Sequence, residues 1–186
     1  LRKKHGYEQS SHIKYSRLRN VIDGFWLIGH LNAVDYSKKA REAAKMMRLT
    51  DPSIKLVAAG ASNFRPDADP MHWNRIVLDE LKNVVDYIAL HMYVGNPDDN
   101  YYNFMSTPLV LEERTHLVEG LIDRMMQDAE RGNREEIKIA WDEWNVWYRA
   151  RAGESMTGER ALEEKYNLED ALVVAGFLNV FIRNAD

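Results

Sequence analysis

The sequence predicts an α/β protein, a parallel sheet with its helices on the outer face. Three observations carry this. Strand-like and helix-like stretches alternate four times along the 186 residues. The helical stretches run to roughly 12–18 residues, long enough for right-handed crossovers between parallel strands. No linker, internal repeat or low-complexity run divides the chain, so residues 1–186 read as a single domain. Four βα units are half of a TIM-type (β/α)8 barrel, which usually takes ~250 residues to close. The predicted architecture is that (βα)4 half barrel.

Residues 1–12 are polar and basic and lead toward the first strand. Residues 13–20 (IKYSRLRN) read as that strand, weakly, because Lys14, Arg17 and Arg19 are poor residues for a strand buried on both faces. Asp23-Gly24-Phe25-Trp26 forms a turn. Over 32–48, Ala33, Ala40, Ala43, Ala44 and Met47 recur at helical spacing, with Asp35, Lys38, Lys39, Arg41, Glu42 and Lys45 for an outer face. Thr50-Asp51-Pro52 ends that helix. Residues 54–59 (IKLVAA) are the second strand, closed by Gly60, and 70–83 the second helix.

Residues 86–93 (DYIALHMY) form the third strand, which delivers His91 and Tyr93 to its C-terminal end. The polar, Asn- and Asp-rich stretch 94–108 reads as a loop long enough to serve a binding face. An amphipathic helix follows over 115–131, with Leu117, Val118, Leu121, Ile122, Met125 and Met126 facing inward. The fourth strand is 137–144, and a second long polar loop, 149–165, precedes the helix 168–183.

The chemistry gathers at residues 137–148 (IKIAWDEWNVWY). Ile137, Ile139 and Trp141 alternate with Lys138, Ala140 and Asp142 at the strand period, and the run then sets Asp142 and Glu143 among Trp144, Trp147 and Tyr148. Indole faces beside a carboxylate suit a sugar: the ring stacks on Trp, and the carboxylate stabilises or attacks an oxocarbenium-like centre. The same pattern also fits an ordinary strand end with core aromatics and solvated acids.

Asp142-Glu143-Trp144-Asn145-Val146-Trp147-Tyr148 resembles the nucleophile motif of the α-L-arabinofuranosidases of glycoside hydrolase family 51, and the resemblance extends from Ile13 to Asp186. It implies that Glu143 is the nucleophile of a retaining reaction on an arabinofuranoside-type carbohydrate. His91 and Tyr93 match the family's sugar-binding His and the Tyr that hydrogen-bonds near the nucleophile, and Trp147 matches a pocket aromatic. Without the resemblance, His91 would read as a structural histidine at a strand end. In the family the acid/base Glu ends the fourth barrel strand and the nucleophile the seventh. The chain therefore looks like strands four to seven with their helices, lacking the first three strands, the eighth and the C-terminal β-sandwich.

At the end of its fourth strand the family has Gly-Asn-Glu, then one residue, Asp and Gly. Here the run is Arg19-Asn20-Val21-Ile22-Asp23-Gly24. Asn20 is kept and is expected to bind substrate, but Val21 stands where the acid/base Glu belongs. Val neither gives nor takes a proton, and a general acid is typically worth ~10²–10⁴ in rate. Asp23 belongs to the family pattern already, two positions further into the turn, and is a poor stand-in.

Arg17 and Arg19 occupy positions where the family has small or apolar residues. Tyr15, Arg17, Arg19 and Val21 fall on one face of the first strand, and burying two unpaired guanidinium groups costs several kcal/mol each. That face is therefore expected to lie outside an ordinary closed core, at an open edge or at an interface.

The net charge of −4 gives no reason to expect a nucleic-acid or membrane partner. With no Cys there is neither a disulfide framework nor a thiolate site. His5, His12, His30, His72 and His116 show no ligand spacing, and Asp98-Asp99 reads as a solvated loop, so no metal and no cofactor is expected. No stretch approaches the ~18 apolar residues of a membrane span, and a cytoplasmic protein is expected. Leu1 in place of Met points to a trimmed segment.

A half barrel leaves two sheet edges and an inner face uncovered. The expectation is a homodimer closing an eight-stranded ring, or completion by a complementing barrel fragment. Two functions remain open: a fragment of a retaining α-L-arabinofuranosidase, disabled alone by Val21, or a degenerate or engineered half-barrel scaffold in which Glu143 is a relic.

Overall fold

The computed structural model describes residues 2–6, 13–62, 64, 69–132, 134–148 and 166–185. After a 3-10 turn at Arg2–His5, the elements are β1 (Tyr15–Arg17), α1 (Ala33–Thr50), β2 (Lys55–Ala59), α2 (Pro70–Leu81), β3 (Tyr87–Val94), α3 (Tyr101–Met105), α4 (Thr107–Met126), β4 (Lys138–Val146) and α5 (Leu168–Arg183). The strands pair in parallel in the order β1-β2-β3-β4. With helices against one face, this is the (βα)4 half barrel that the sequence predicts.

Two apolar clusters fill the space between sheet and helices. In the first, Leu56, Ala58, Ile88 and Leu90 meet Tyr36, Ala40 and Ala44 of α1, Val77, Leu78 and Leu81 of α2, and Val118 and Ile122 of α4. In the second, Met92 and Val146 meet Phe104, Leu111, Val173, Phe177 and Val180. The opposite face of the sheet is the barrel lumen, where Tyr15, Arg17, Val57, Tyr87, Ala140 and Asp142 line a cavity of about 360 Å³.

Local chemistry fixes the elements. The Asn32 side chain caps α1 by accepting the Asp35 N–H at 2.8 Å. Tyr36, on the inner face of α1, accepts the Ala59 N–H at 2.7 Å, and burial pushes its phenol up to about 12. At the end of β2, Gly60 donates to the Ala89 carbonyl at 3.0 Å, and a Cβ there would sit 2.2 Å from that oxygen. Only glycine lets the two strands approach so closely.

Five expectations are corrected. β1 has three residues rather than eight: Leu18 still donates to Val57, but Arg19 turns to φ 138° and leaves the ladder. The predicted loop 94–108 contains α3, capped by Asn100, and α4 begins at Thr107 rather than 115, with Pro108 in its first turn. Leu111 and Thr115 of that earlier start are buried, whereas Leu117 faces outward at 49% exposure. The same helix ends at Met126, not at 131. The predicted loop 149–165 lies outside the described residues, as do 7–12.

The end of α4 is followed by a buried anchor. Arg131 is 8% exposed and donates to the carbonyls of Lys82, Val85 and Glu135. The replacement Arg131→Ala leaves these acceptors unpaired and is expected to cost about 2–3 kcal/mol of stability in urea unfolding, at unchanged m-value. A loss under ~0.5 kcal/mol would contradict this role.

Candidate active site

Side chains alternate along β4, and Ile137, Ile139 and Trp141 pack toward the helices. Continued unbroken, that alternation would turn Glu143 the same way and bury it against α5. A bulge prevents this. Leu90 pairs with Trp141 but His91 pairs with Glu143, leaving Asp142 as an extra residue. Beyond it the phase is reversed, and Trp144 and Val146 now face the helices. The bulge therefore brings Asp142 and Glu143, neighbours in sequence, to the same lumen face.

There they meet His91, which is buried at 4% exposure at the matching level of β3. Its Nδ1 is 3.5 Å from Glu143 Oε2, and its Nε2 is 3.2 Å from Asp142 Oδ1. The fourth member of this group is Arg17 of β1. Its Nη1 lies 3.3 Å from Glu143 Oε1, its Nη2 3.0 Å from His91 Nε2, and its Nε 3.1 Å from Asp142 Oδ2, the last an ion pair without hydrogen-bond alignment. By ladder register Arg17 shares a row with Val57, Tyr87 and Lys138, not with Asp142. Strand tilt of the barrel type, about 36°, staggers the rows and brings the two ends to one height.

The expectation that Arg17 and Arg19 lie together on one face of the first strand is thus corrected. Arg17 is half-buried and paired with two carboxylates, which offsets its desolvation. Arg19 stands beyond the strand, exposed, at the rim.

Above this group lies a cavity of about 580 Å³ lined by Arg19, Asn20, Val21, Ile22, Trp26, Leu27, Ile28, Ser62, His91, Tyr93, Glu143 and Trp147. All five residues singled out from sequence, Asn20, His91, Tyr93, Glu143 and Trp147, are on its wall, and so is Val21. Tyr93 stands edge-on to Trp147 with ring centroids 5.2 Å apart. Partial burial, then the charges of Glu143 and Asp142, push its phenol above the usual range. Trp147 is held by its backbone N–H donating to the Val94 carbonyl at 2.7 Å. Next to it, Tyr148 donates to buried Asp170 at 2.5 Å, tying the exit of β4 to the first turn of α5.

Asp23 does not line this cavity. Its Oδ2 accepts the Ser62 N–H at 2.9 Å, which ties the turn after β1 to the end of β2. Trp26, Leu27, Ile28 and Ser62 join the wall without having been assigned a role from sequence, and the backbone turn from Gly24 to Leu27 presents the first three. Among the described residues no group of three or more His, Asp or Glu side chains could hold a metal ion, and no helix is long and apolar enough to cross a membrane.

Comparisons with known proteins agree with this geometry. Residues 142–186 match the family model of the α-L-arabinofuranosidase C-terminal domain. Intracellular exo-α-(1→5)-L-arabinofuranosidase 1 of Bacillus subtilis (strain 168) is 39% identical over 191 residues, covering 100% of this chain and 38% of that enzyme. The chain therefore spans little more than a third of that relative's length. The thermostable family 51 α-L-arabinofuranosidase of Thermotoga petrophila RKU-1 superposes with a TM-score of 0.80 at 34% identity, over 100% of this chain and 34% of that one. The family 51 α-L-arabinofuranosidase of Bifidobacterium longum, at 22% identity, shares the fold with a TM-score of 0.85, over 100% of this chain and 38% of its own. The half barrel and the likeness along its whole length identify the chain as resembling a partial segment of the α-L-arabinofuranosidases of glycoside hydrolase family 51.

Proposed function

We propose that the chain carries the nucleophile side of a retaining α-L-arabinofuranosidase site. In this reading Glu143 attacks the anomeric carbon while Asn20, His91, Tyr93 and Trp147 hold the furanose. The supporting observation is that these five side chains, delivered by three different strand ends, share one cavity with Val21. Retaining hydrolysis needs a second carboxyl ~5–5.5 Å from the first, to protonate the leaving oxygen and later deprotonate water. Val21 occupies the family's position for that group, so both proton transfers lose their catalyst and the segment is crippled by itself.

The relative's printed name supplies the substrate class, an arabinofuranoside in α-(1→5) linkage, and an intracellular location, which agrees with the cytoplasmic protein expected from the sequence. We take residues 1–186 as one domain that closes through a second copy or a complementing barrel fragment. The reason is the lumen cavity lined by Tyr15, Val57, Tyr87 and Ala140, together with the terminal position of β1 and β4 in the sheet order. The second reading, a half-barrel scaffold without catalysis, draws on Val21 and on the ion pairing of Glu143 with Arg17.

An aryl α-L-arabinofuranoside with an activated leaving group separates the two, because its departure needs no proton. The expected result is a burst of aryl alcohol stoichiometric with the chain, followed by slow turnover, as the glycosyl-enzyme accumulates. No burst would favour the scaffold.

A further inference from the structure

We infer that Arg17 is a positioning residue for Glu143 and His91, reaching them across the half barrel from the far edge strand. This deepens the reading of Glu143 as nucleophile and rests on it. Three different nitrogens of one planar guanidinium engage Asp142, Glu143 and His91, at 3.1, 3.3 and 3.0 Å. Two of these nitrogens are aligned as hydrogen bonds, to Glu143 and His91, and the third is ion-paired to Asp142; a fork held in this way has one orientation, which an ammonium would not reproduce.

The approach is from beneath. Arg17 lines the lower lumen cavity with Tyr15, Tyr87 and Asp142, and is absent from the wall of the upper one. It therefore supports Glu143 without occupying the place of a furanose. Its hold on Oε1 leaves Oε2 on the His91 side. Without it, the bulge would present two like-charged carboxylates to one imidazole, and their repulsion would move both side chains. The family resemblance puts a small or apolar residue at position 17, so this strut is a property of the present chain.

His91 provides a second signature. Arg only donates, so the 3.0 Å contact is a hydrogen bond when Nε2 is bare. The proton then sits on Nδ1, the ring nitrogen 3.5 Å from Glu143 Oε2. Arg17 in this way selects the tautomer of the imidazole beside the nucleophile.

The test uses the whole chain, with Arg17→Met and Arg17→Lys. One measurement is the 15N NMR signature of the His91 ring. The other is the rate at which an activated 2-fluoro-arabinofuranoside labels Glu143, followed by mass spectrometry. The wild type is expected to show the Nδ1–H tautomer. Arg17→Met should shift it toward Nε2–H, facing Asp142, and slow labelling by about 10–10²-fold at an unchanged half-saturating concentration, the usual effect of misplacing a reacting group. Arg17→Lys should recover only part of the rate. Unchanged tautomer and labelling rate in folded Arg17→Met, or faster labelling, would overturn the inference. If Arg17→Met does not fold, Arg17→Lys carries the same comparison. Absence of label on the wild type with the tautomer shift intact would instead remove the nucleophile reading, leaving Arg17's hold on His91 supported.

Discussion

The replacement Val21→Glu is expected to raise steady-state hydrolysis of an arabinofuranoside with a poor leaving group by about 10²–10⁴-fold, the usual contribution of a positioned general acid and base. Position 21 is half-buried on the wall of the cavity that holds Glu143. A carboxyl placed there has the role that the family assigns to this position. The gain should depend on the leaving group. An alkyl arabinofuranoside needs protonation as its bond breaks and should gain in kcat/KM, whereas an activated aryl one should gain chiefly in the second step. If a second chain supplies the missing walls, the gain appears only at concentrations where the assembly forms. A folded Val21→Glu with equal rates on both substrates would mean that the cavity does not orient a furanose for attack.

The second large effect concerns azide, a nucleophile that needs no base. With the unaltered chain and an activated aryl arabinofuranoside, azide should raise turnover by about 10–10²-fold, because it attacks the glycosyl-enzyme that water leaves waiting. Val21→Glu should respond little, since its own carboxylate would activate water. Glu143→Ala should lose the burst altogether. Failure of azide to raise the turnover of the unaltered chain would mean that breakdown of a glycosyl-enzyme does not limit the reaction.

The order and type of the main elements were legible because apolar spacing differs between strand and helix. Ala40 and Ala44 are one turn apart on α1, and Ile88, Leu90 and Met92 alternate along β3. The start of α4 was hidden because 94–108 is rich in Asn and Asp, although Pro108 is a helix-opening residue in plain view. The length of β1 was hidden because the ladder ends on a backbone turn at Arg19, a non-glycine residue at φ 138° where the resemblance expects glycine.

The site was half legible. The resemblance picked out five residues on one cavity, but the reason Glu143 faces the lumen lies in a change of phase. Apolar residues stand at odd positions through Ile137, Ile139 and Trp141, then at even ones in Trp144 and Val146. That slip is visible in the sequence and marks the bulge at Asp142. Arg17 was misjudged because its partner Glu143 is 126 residues away and its charge looked exposed. Only the curl of the sheet brings β1 and β4 within reach of one guanidinium.

The most direct measurement is the anomeric configuration of the arabinosyl azide that the unaltered chain makes. If Glu143 attacks first and azide then takes the face left open beside Val21, two inversions give the α-azide, with the substrate's configuration retained. A β-azide would show a single displacement without a glycosyl-enzyme, and would contradict the assignment of Glu143 as nucleophile.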